Sequence, residues 1–576
     1  MKNETGYILG ISRGHNAAVC LLKDGEIVFS LEEERLTRRK YDGAPLAGIV
    51  KVLEYTKKVD ALVIAHTQPD ESRLDYCGDK VYQGLAKKLG LISSDNQVLE
   101  VHDKHHEMHA ACAFYRSGFK EAAALVADGS GSQLFIDEGT KDIWEFESIF
   151  GCSYNTPFKP LYKHFGNNGP FTTQRFNQDG CEILIDENPG IVKAYEAVTE
   201  YCGWSSIEAG KTMGLFPYGK RKDGLQPLFK NNSVDRSMII PRVPNGAMVN
   251  YNNHEYLNNH DSDDLTLLDN RRDLAYRVQV DSQKAMLNLI LKAAEIGKTK
   301  NVVVSGGYGL NCVANYYYLD KLKEHDINLF VEPISNDAGT SIGAALWYYH
   351  QVQETDNHTP PRERNENLYL GPKYTYTMND IESAVFKYDG IIKEDQSYSD
   401  VINLLRDKNI VAMFQGSCEN GPRALGNRSI LFDPTFEDGK DFVNAVKHRE
   451  YFRPFAGTVL EEYAHDWFDL RGMESSPSMM YAVNCKEGKD KLIPSVIHVD
   501  KSCRIQTVNT EQNEHFYNLI SEFYKETGVP VLFNTSFNLG GDPLVETLED
   551  AIDTLVKSDI EYLYMPEYEL IISIKN

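Results

Sequence analysis

Asn301-Val302-Val303-Val304-Ser305-Gly306-Gly307-Tyr308-Gly309-Leu310-Asn311-Cys312 is the stretch whose reading decides the fold. An apolar β-branched run that ends in paired glycines and opens a helix is the repeating unit of an α/β domain. The same turn lets backbone amides approach a nucleotide, although glycines there also suit a plain tight turn. Upstream, 272–296 has helical periodicity and good helix formers. Further out, Tyr7–Ser12, 17–22 and 26–31 read as three strands, the last two joined by the turn Lys23-Asp24-Gly25. The loop Arg13-Gly14-His15-Asn16 between the first two is placed to present amides to a ligand. Ala61–Ala65 and 122–126 are further buried strands.

Residues 354–367 carry charges and Pro360-Pro361 without apolar periodicity, and read as a linker between domains 1–353 and 368–576. The second domain alternates again: helix 381–386, strand 410–414, helix Glu514–Thr527, strand 529–533. No fixed-period repeat is visible.

The chain has 576 residues, room for several cores. Acids outnumber bases by 84 to 60, and the net charge of −24 disfavours bulk attraction to nucleic acid or anionic membrane. No apolar run is long enough to span a bilayer, and Met1-Lys2-Asn3-Glu4 opens no signal-peptide core. Ten scattered cysteines without a C-x-x-C pair fit reduced thiols. A cytoplasmic protein is expected.

Three constellations carry chemistry. In His105-His106-Glu107-Met108-His109, the first and last histidines are four apart, so on a helix both face one way and can share a metal. The pair taken alone also fits a solvated helix face. Asp128, at the end of a buried strand before Gly129, and Asp337, before a helical run, complete a mixed nitrogen and oxygen set suited to iron or manganese, or more loosely to magnesium. The second constellation comprises the 304–312 turn and Lys211 in Glu208-Ala209-Gly210-Lys211-Thr212. The third gathers Arg423, Arg428, Lys447, Arg449, Arg453 and Arg504 with Asn534 and Ser536, in loops and at a strand end. So many cations with hydroxyl and amide donors form an oxyanion clamp. Any one of them alone reads as a surface base.

Leu31–Lys40, the His-His-x-x-His run, 211–215, 336–339, 421–429, 447–455 and 534–538 appear in one order along nearly the whole chain. Together they resemble the O-carbamoyltransferases of the NodU/CmcH (TobZ-like) type. The resemblance implies an α/β protein with a TsaD-like domain of the actin/hexokinase (ASKHA) type followed by a YrdC-like domain. It implies that carbamoyl phosphate and ATP form carbamoyl adenylate in the second domain, and that the carbamoyl group passes to an acceptor hydroxyl in the first. By motif, Arg423, Arg428, Lys447, Arg449, Arg453, Arg504, Asn534 and Ser536 would bind carbamoyl phosphate and ATP, with Lys447 and Arg453 catalytic. Lys211, Gly306, Gly307 and Asn311 would touch the adenylate. His105, His109, Asp128 and Asp337 would hold iron or manganese, magnesium would accompany ATP, and His15 would be the base.

The implied acceptor is a small molecule such as a sugar, an antibiotic or a hydroxymethyl compound. A 5-hydroxymethylpyrimidine, free or in DNA or RNA, is an alternative, for which the bases between Gly219 and Lys230 are the place to look. A threonylcarbamoyl-type tRNA-modifying enzyme is an alternative of another class. A monomer or homodimer without membrane attachment is expected.

Overall fold

A computed structural model describes residues 6–72, 78–136, 141–169, 171–252, 254–353 and 361–575. They form two compact α/β units, one of 1–33 with 43–365 and one of 34–42 with 366–576.

The first unit holds two sheets of related topology. Strands β1 (Tyr7–Ser12), β2 (Ala18–Lys23) and β3 (Glu26–Glu32) make an antiparallel meander, and β4 (Ala61–Ala65) and β5 (Val98–Glu100) add in parallel beside β1. The order is β3-β2-β1-β4-β5. The second sheet begins with β6 (Glu121–Ala127). The short β7 (Gln133–Ile136) pairs with β8 (Lys141–Ser153), which lies between β6 and β9 (Lys159–Gly166). Beyond β9 come β10 (Gln174–Gln178) and β11 (Cys181–Ile185), and on the other flank β12 (Asn301–Ser305) and β13 (Asn328–Val331) run parallel to β6. Its core order, β9-β8-β6-β12-β13, repeats that of the first sheet. A meander followed by two parallel strands, present twice, is the actin/hexokinase-type arrangement.

The duplication places the functional residues. Helix α1 (His105–Arg116) follows β5, and α4 (Ala338–Trp347) follows β13, the equivalent strand of the second sheet. Between them in the chain lie α2 (Ile191–Tyr201) and α3 (Asp269–Gly297). Helices α1 and α4 approach closely because Gly343 has no side chain: a Cβ there would stand 1.9 Å from the Met108 carbonyl oxygen. Likewise a Cβ on Gly10 of β1 would stand 2.1 Å from the Ser341 carbonyl oxygen. The loops after β1 and β6, carrying His15 and Asp128, are counterparts in the two halves.

The second unit is built on a mixed sheet. Its strands are β14 (Ile391–Lys393), β15 (Val411–Phe414), β16 (Arg428–Phe432), β17 (Ala456–Leu460), β18 (Phe468–Asp469), β19 (Ala482–Cys485), β20 (Ser502–Val508), β21 (Val531–Ser536), β22 (Tyr562–Met565) and β23 (Leu570–Ser573). They order as β14-β23-β22-β15-β16-β21-β17-β20-β19-β18. Segment 34–42, far upstream in sequence, is held in this unit by Arg35 donating to the Gly421 carbonyl at 2.8 Å and Arg38 donating to Pro543 at 3.0 Å.

Of the expected linker, 354–360 lies outside the described residues. Residues 361–365 count with the first unit, where Arg362 pairs with Glu26 at 2.6 Å and the Asn365 amide donates to the Arg116 carbonyl. Among the described residues no helix is long and apolar enough to cross a membrane, and the described cysteines are free thiols.

Candidate active site

His105 and His109 lie one turn apart at the start of α1, both buried. Asp128 follows β6, and Asp337 is the residue before α4. One ligand atom from each of the four falls within 4.8 Å of the others. The Nε2 atoms of both histidines stand 3.6 Å from Asp337 Oδ1, and His105 Nε2 is 3.6 Å from Asp128 Oδ2. These separations exceed a hydrogen bond, and both Nε2 atoms are buried without a hydrogen-bond partner. Ser305 Oγ lies 3.2 Å from His109 Nδ1 and fixes the ring, leaving Nε2 toward the carboxylates. The Gly307 amide donates to Asp128 Oδ1 at 2.9 Å. Buried, orphaned imidazole nitrogens aimed at two carboxylates fit one divalent cation.

The charges are already paired. Burial alone would lower the pKa of His105, but Asp128 and Asp337 outweigh it and carry the group up to about 10. Burial would likewise raise Asp337, yet His15, His105 and His109 hold it well below the usual carboxylate range. His15 Nδ1 is 3.7 Å from Asp337 Oδ2, and its side chain is 45% exposed. Behind the cluster, burial pushes His106 down to about 4. Its Nδ1 contacts Ser148 Oγ at 2.9 Å, and Ser148 and Lys163 both donate to Glu145 at 2.6 Å.

The second unit holds a concentration of positive charge. Lys447 is 1% exposed. Among the described residues its ammonium donates to neutral oxygens only: the Ser536 carbonyl, Ser536 Oγ and, at 3.2 Å, Asn538 Oδ1. Burial, then Arg449 and Arg453, push its pKa well below the ordinary lysine range. The same surroundings, with Arg453 and Arg504, disfavour the charge on Arg449, a guanidinium that cannot shed its proton. Arg453 has Glu450 at 3.5 Å. Asn534, wholly buried, donates to Ala424, Thr458 and Gln506 and keeps its own Oδ1 without a partner.

Family models of the carbamoyltransferase N-terminus and C-terminus match residues 75–346 and 402–571, the two regions that carry these clusters. The chain belongs to the carbamoyltransferase family. It is 31% identical to an uncharacterized protein of Synechocystis, over 98% of this chain and 96% of that one. Nodulation protein NolNO of Sinorhizobium fredii is 29% identical over 96% of this chain and 78% of its own length. Nodulation protein U of Rhizobium tropici is 28% identical over 93% and 91%. This protein is an enzyme of carbamoyl transfer.

Within the carbamoyltransferase the remaining expected residues fall into different settings. Gly306, at φ +87°, turns beside Ala127, whose carbonyl oxygen would be 2.4 Å from a Cβ there, and so brings Gly307 onto Asp128. The Asn311 amide oxygen caps its helix at the Ala314 amide and pairs with Gln279. Lys211 pairs with Glu208 at 2.8 Å. Arg428 stands apart from the anion clamp: fully buried, its guanidinium donates to the carbonyls of Gln415, Gly416, Asn427 and Glu546. All five of its N–H groups are thereby engaged, so it shapes the 415–428 loop rather than meeting an anion. Between Gly219 and Lys230, Arg221 lies near Asp223, Lys222 stacks on Tyr256 and Lys230 pairs with Asp235 at 2.6 Å, which blunts the basic strip.

Sequence reading missed Glu145, Glu147, His164 and Glu196. The first two are buried on β8 on either side of a register shift against β9: Glu145 meets Ser148 and Lys163, whereas Glu147 Oε2 lies 2.6 Å from His164 Nδ1. A register shift inside a strand breaks the period of two, so the sequence pattern gives no sign of which face each acid takes.

Proposed function

We propose that the second unit joins carbamoyl phosphate and ATP into carbamoyl adenylate, and that the first unit passes the carbamoyl group to the hydroxyl of a small molecule. The observation that carries the reading is Lys447, a buried ammonium without a carboxylate partner among the described residues, grouped with Arg449, Arg453 and Arg504. A carboxylate would neutralise such a group permanently. Its absence supports a substrate anion in that role.

The atoms balance as follows. Water takes the phosphoryl group of carbamoyl phosphate and leaves carbamate. A carbamate oxygen attacks the α-phosphorus of ATP and pyrophosphate departs, giving carbamoyl adenylate. In the first unit the acceptor oxygen attacks the carbamoyl carbon, the bond to the AMP oxygen breaks, and the hydroxyl proton goes to a base. His15 fits that base: half exposed, beside the cluster, and oriented by Asp337. His105, His109, Asp128 and Asp337 would hold a divalent cation, which supplies positive charge against developing negative oxygen. The Gly307 amide and Ser305 hold Asp128 and His109 in place.

A small alcohol is favoured over a nucleic acid because the bases of 220–230 are few and two of the four, Arg221 and Lys230, stand beside acids, while the chain carries −24 overall. The test incubates the enzyme, carbamoyl phosphate and ATP with hydroxylated acceptors, including hydroxymethylcytosine DNA, and seeks a gain of one carbamoyl group by mass spectrometry. Product on a sugar or antibiotic hydroxyl is expected. Product on the DNA alone overturns the acceptor assignment, and no pyrophosphate release on adding carbamoyl phosphate overturns the adenylate step.

A further inference from the structure

Helix α2 buries most of its surface, but Val192, Glu196 and Glu200, spaced i, i+4 and i+8, form a partly exposed stripe. Glu200 is taken by Arg242. Glu196 is held differently. Its Oε2 accepts a hydrogen bond from Lys193 Nζ at 2.9 Å. Lys193 is fully buried and donates also to the Pro244 carbonyl at 2.8 Å. The same carbonyl accepts from Ser130 Oγ at 2.7 Å. Lys193, itself held by the Pro244 carbonyl, therefore engages one carboxylate oxygen of Glu196, and the other has no donor among the described residues.

That second oxygen, Oε1, lies over Gly129: a Cβ at Gly129 would stand 2.4 Å from it. Gly129 follows Asp128 of the histidine and aspartate cluster. The Glu196 side chain is 14% exposed, and Gly129 beneath Oε1 is also only partly buried, so this carboxylate lies at the protein surface one residue along the chain from Asp128. A phosphate at this point would meet Glu196 together with Asp128 and Asp337, and like charges repel. A hydroxyl instead donates to Oε1 in a charge-assisted hydrogen bond.

We infer that Glu196 is a positioning residue that accepts a hydrogen bond from a substrate hydroxyl beside the cluster, held for that purpose by Lys193. The inference rests on the carbamoyl-transfer reading and deepens it, since the group met at this point is a hydroxyl rather than a phosphate. Two hydroxyl sources share that chemistry, the acceptor and the ribose of the adenylate, and the experiment has an arm for each.

Metal-loaded full-length wild type, Glu196→Gln and Glu196→Asp are compared, with thermal melting as a check on folding. In the ribose arm, binding of AMP, 2′-deoxy-AMP and 3′-deoxy-AMP is measured by calorimetry. A wild-type preference for AMP of about tenfold that Glu196→Gln erases assigns the hydroxyl to ribose. In the acceptor arm, glucosamine, N-acetylglucosamine and 5-hydroxymethylcytidine are each offered with carbamoyl phosphate and ATP. A rise of about tenfold in KM for a reacting alcohol, larger than any fall in kcat, assigns it to the acceptor, and Glu196→Asp, which keeps the charge, should recover part of the loss. The inference is overturned when the ribose preference is absent or unchanged in Glu196→Gln and no alcohol shows the KM rise, whether or not one reacts. Pyrophosphate release by wild type on adding carbamoyl phosphate reports the underlying reading separately, because the ribose arm needs no transfer.

Discussion

His109 and Lys447 are buried polar residues whose settings are costly unless a ligand completes them. Among the described residues His109 Nε2 has no hydrogen-bond partner, and an ion or a proton shared with Asp337 relieves it. His109→Ala should lower bound metal, read by elemental analysis of protein purified without chelator, and stop carbamoyl transfer, while pyrophosphate release continues. Unchanged metal content would exclude the ligand set. For Lys447, removing the ammonium deletes a charge-assisted contact of about 1.5–3 kcal/mol, so Lys447→Met should weaken pyrophosphate binding at least tenfold. The depressed pKa gives a second signature. The folded protein loses the Lys447 proton at lower pH than an unfolded chain would, so burial of its charge costs stability below that point and the cost fades as pH rises toward the ordinary lysine value. A bound anion draws the proton back. Calorimetry of pyrophosphate binding at alkaline pH, in buffers of different ionisation heat, should show proton uptake that Lys447→Met abolishes.

At the scale of elements, the crossing of α1 and α4 decides whether the two histidines reach Asp337. Gly343 is the contact point, with the Met108 carbonyl 1.9 Å and the Cys112 amide nitrogen 3.2 Å from a hypothetical Cβ. Both neighbours are backbone, so neither can rotate away. Gly343→Val should destabilise the first unit by about 1–3 kcal/mol through overpacking and weaken metal binding, seen as a lower melting temperature and a lower metal content. A variant that melts normally and keeps its metal would show that the helices have slack. Arg428 illustrates the opposite case, an arginine in a signature string whose work is done at element scale: it ties the 415–428 loop to Glu546 beside β16.

Across the whole molecule the two clusters lie in different units. Acid and imidazole sit in the first, and lysine and arginine in the second. Ligands that bind only the folded form stabilise by mass action, about 2.7 kcal/mol at one hundred times Kd. Pyrophosphate should therefore raise the thermal transition of wild type, and chelation should lower it. Neither change should be reproduced by sodium chloride at equal ionic strength. A melting curve indifferent to pyrophosphate would remove the case for an anion site in the second unit.

What the sequence determined by itself was whatever depends on local order. Buried strands such as Ala61–Ala65 and Asn301–Ser305, and the helix Glu514–Thr527, were legible to the residue, because composition and period set them. So was the pairing of His105 with His109, a consequence of helical pitch. The motif order along the chain was enough to place it among the carbamoyltransferases. Tertiary structure decided the rest. The repeated sheet order is invisible as a sequence period because each half carries different insertions between the same strands. The membership of 34–42 in the second unit depends on hydrogen bonds to Gly421 and Pro543, hundreds of residues away. Arg428 and Arg449 belong to the same expected anion clamp, yet one meets carbonyls and the other meets cations. Glu196 carries no motif at all. Its position is set by Lys193 one turn away and by Pro244 and Gly129, residues that only folding brings together. A side chain's charge is written in the chain, but the groups that neutralise it, or leave it free for a substrate, are chosen by packing.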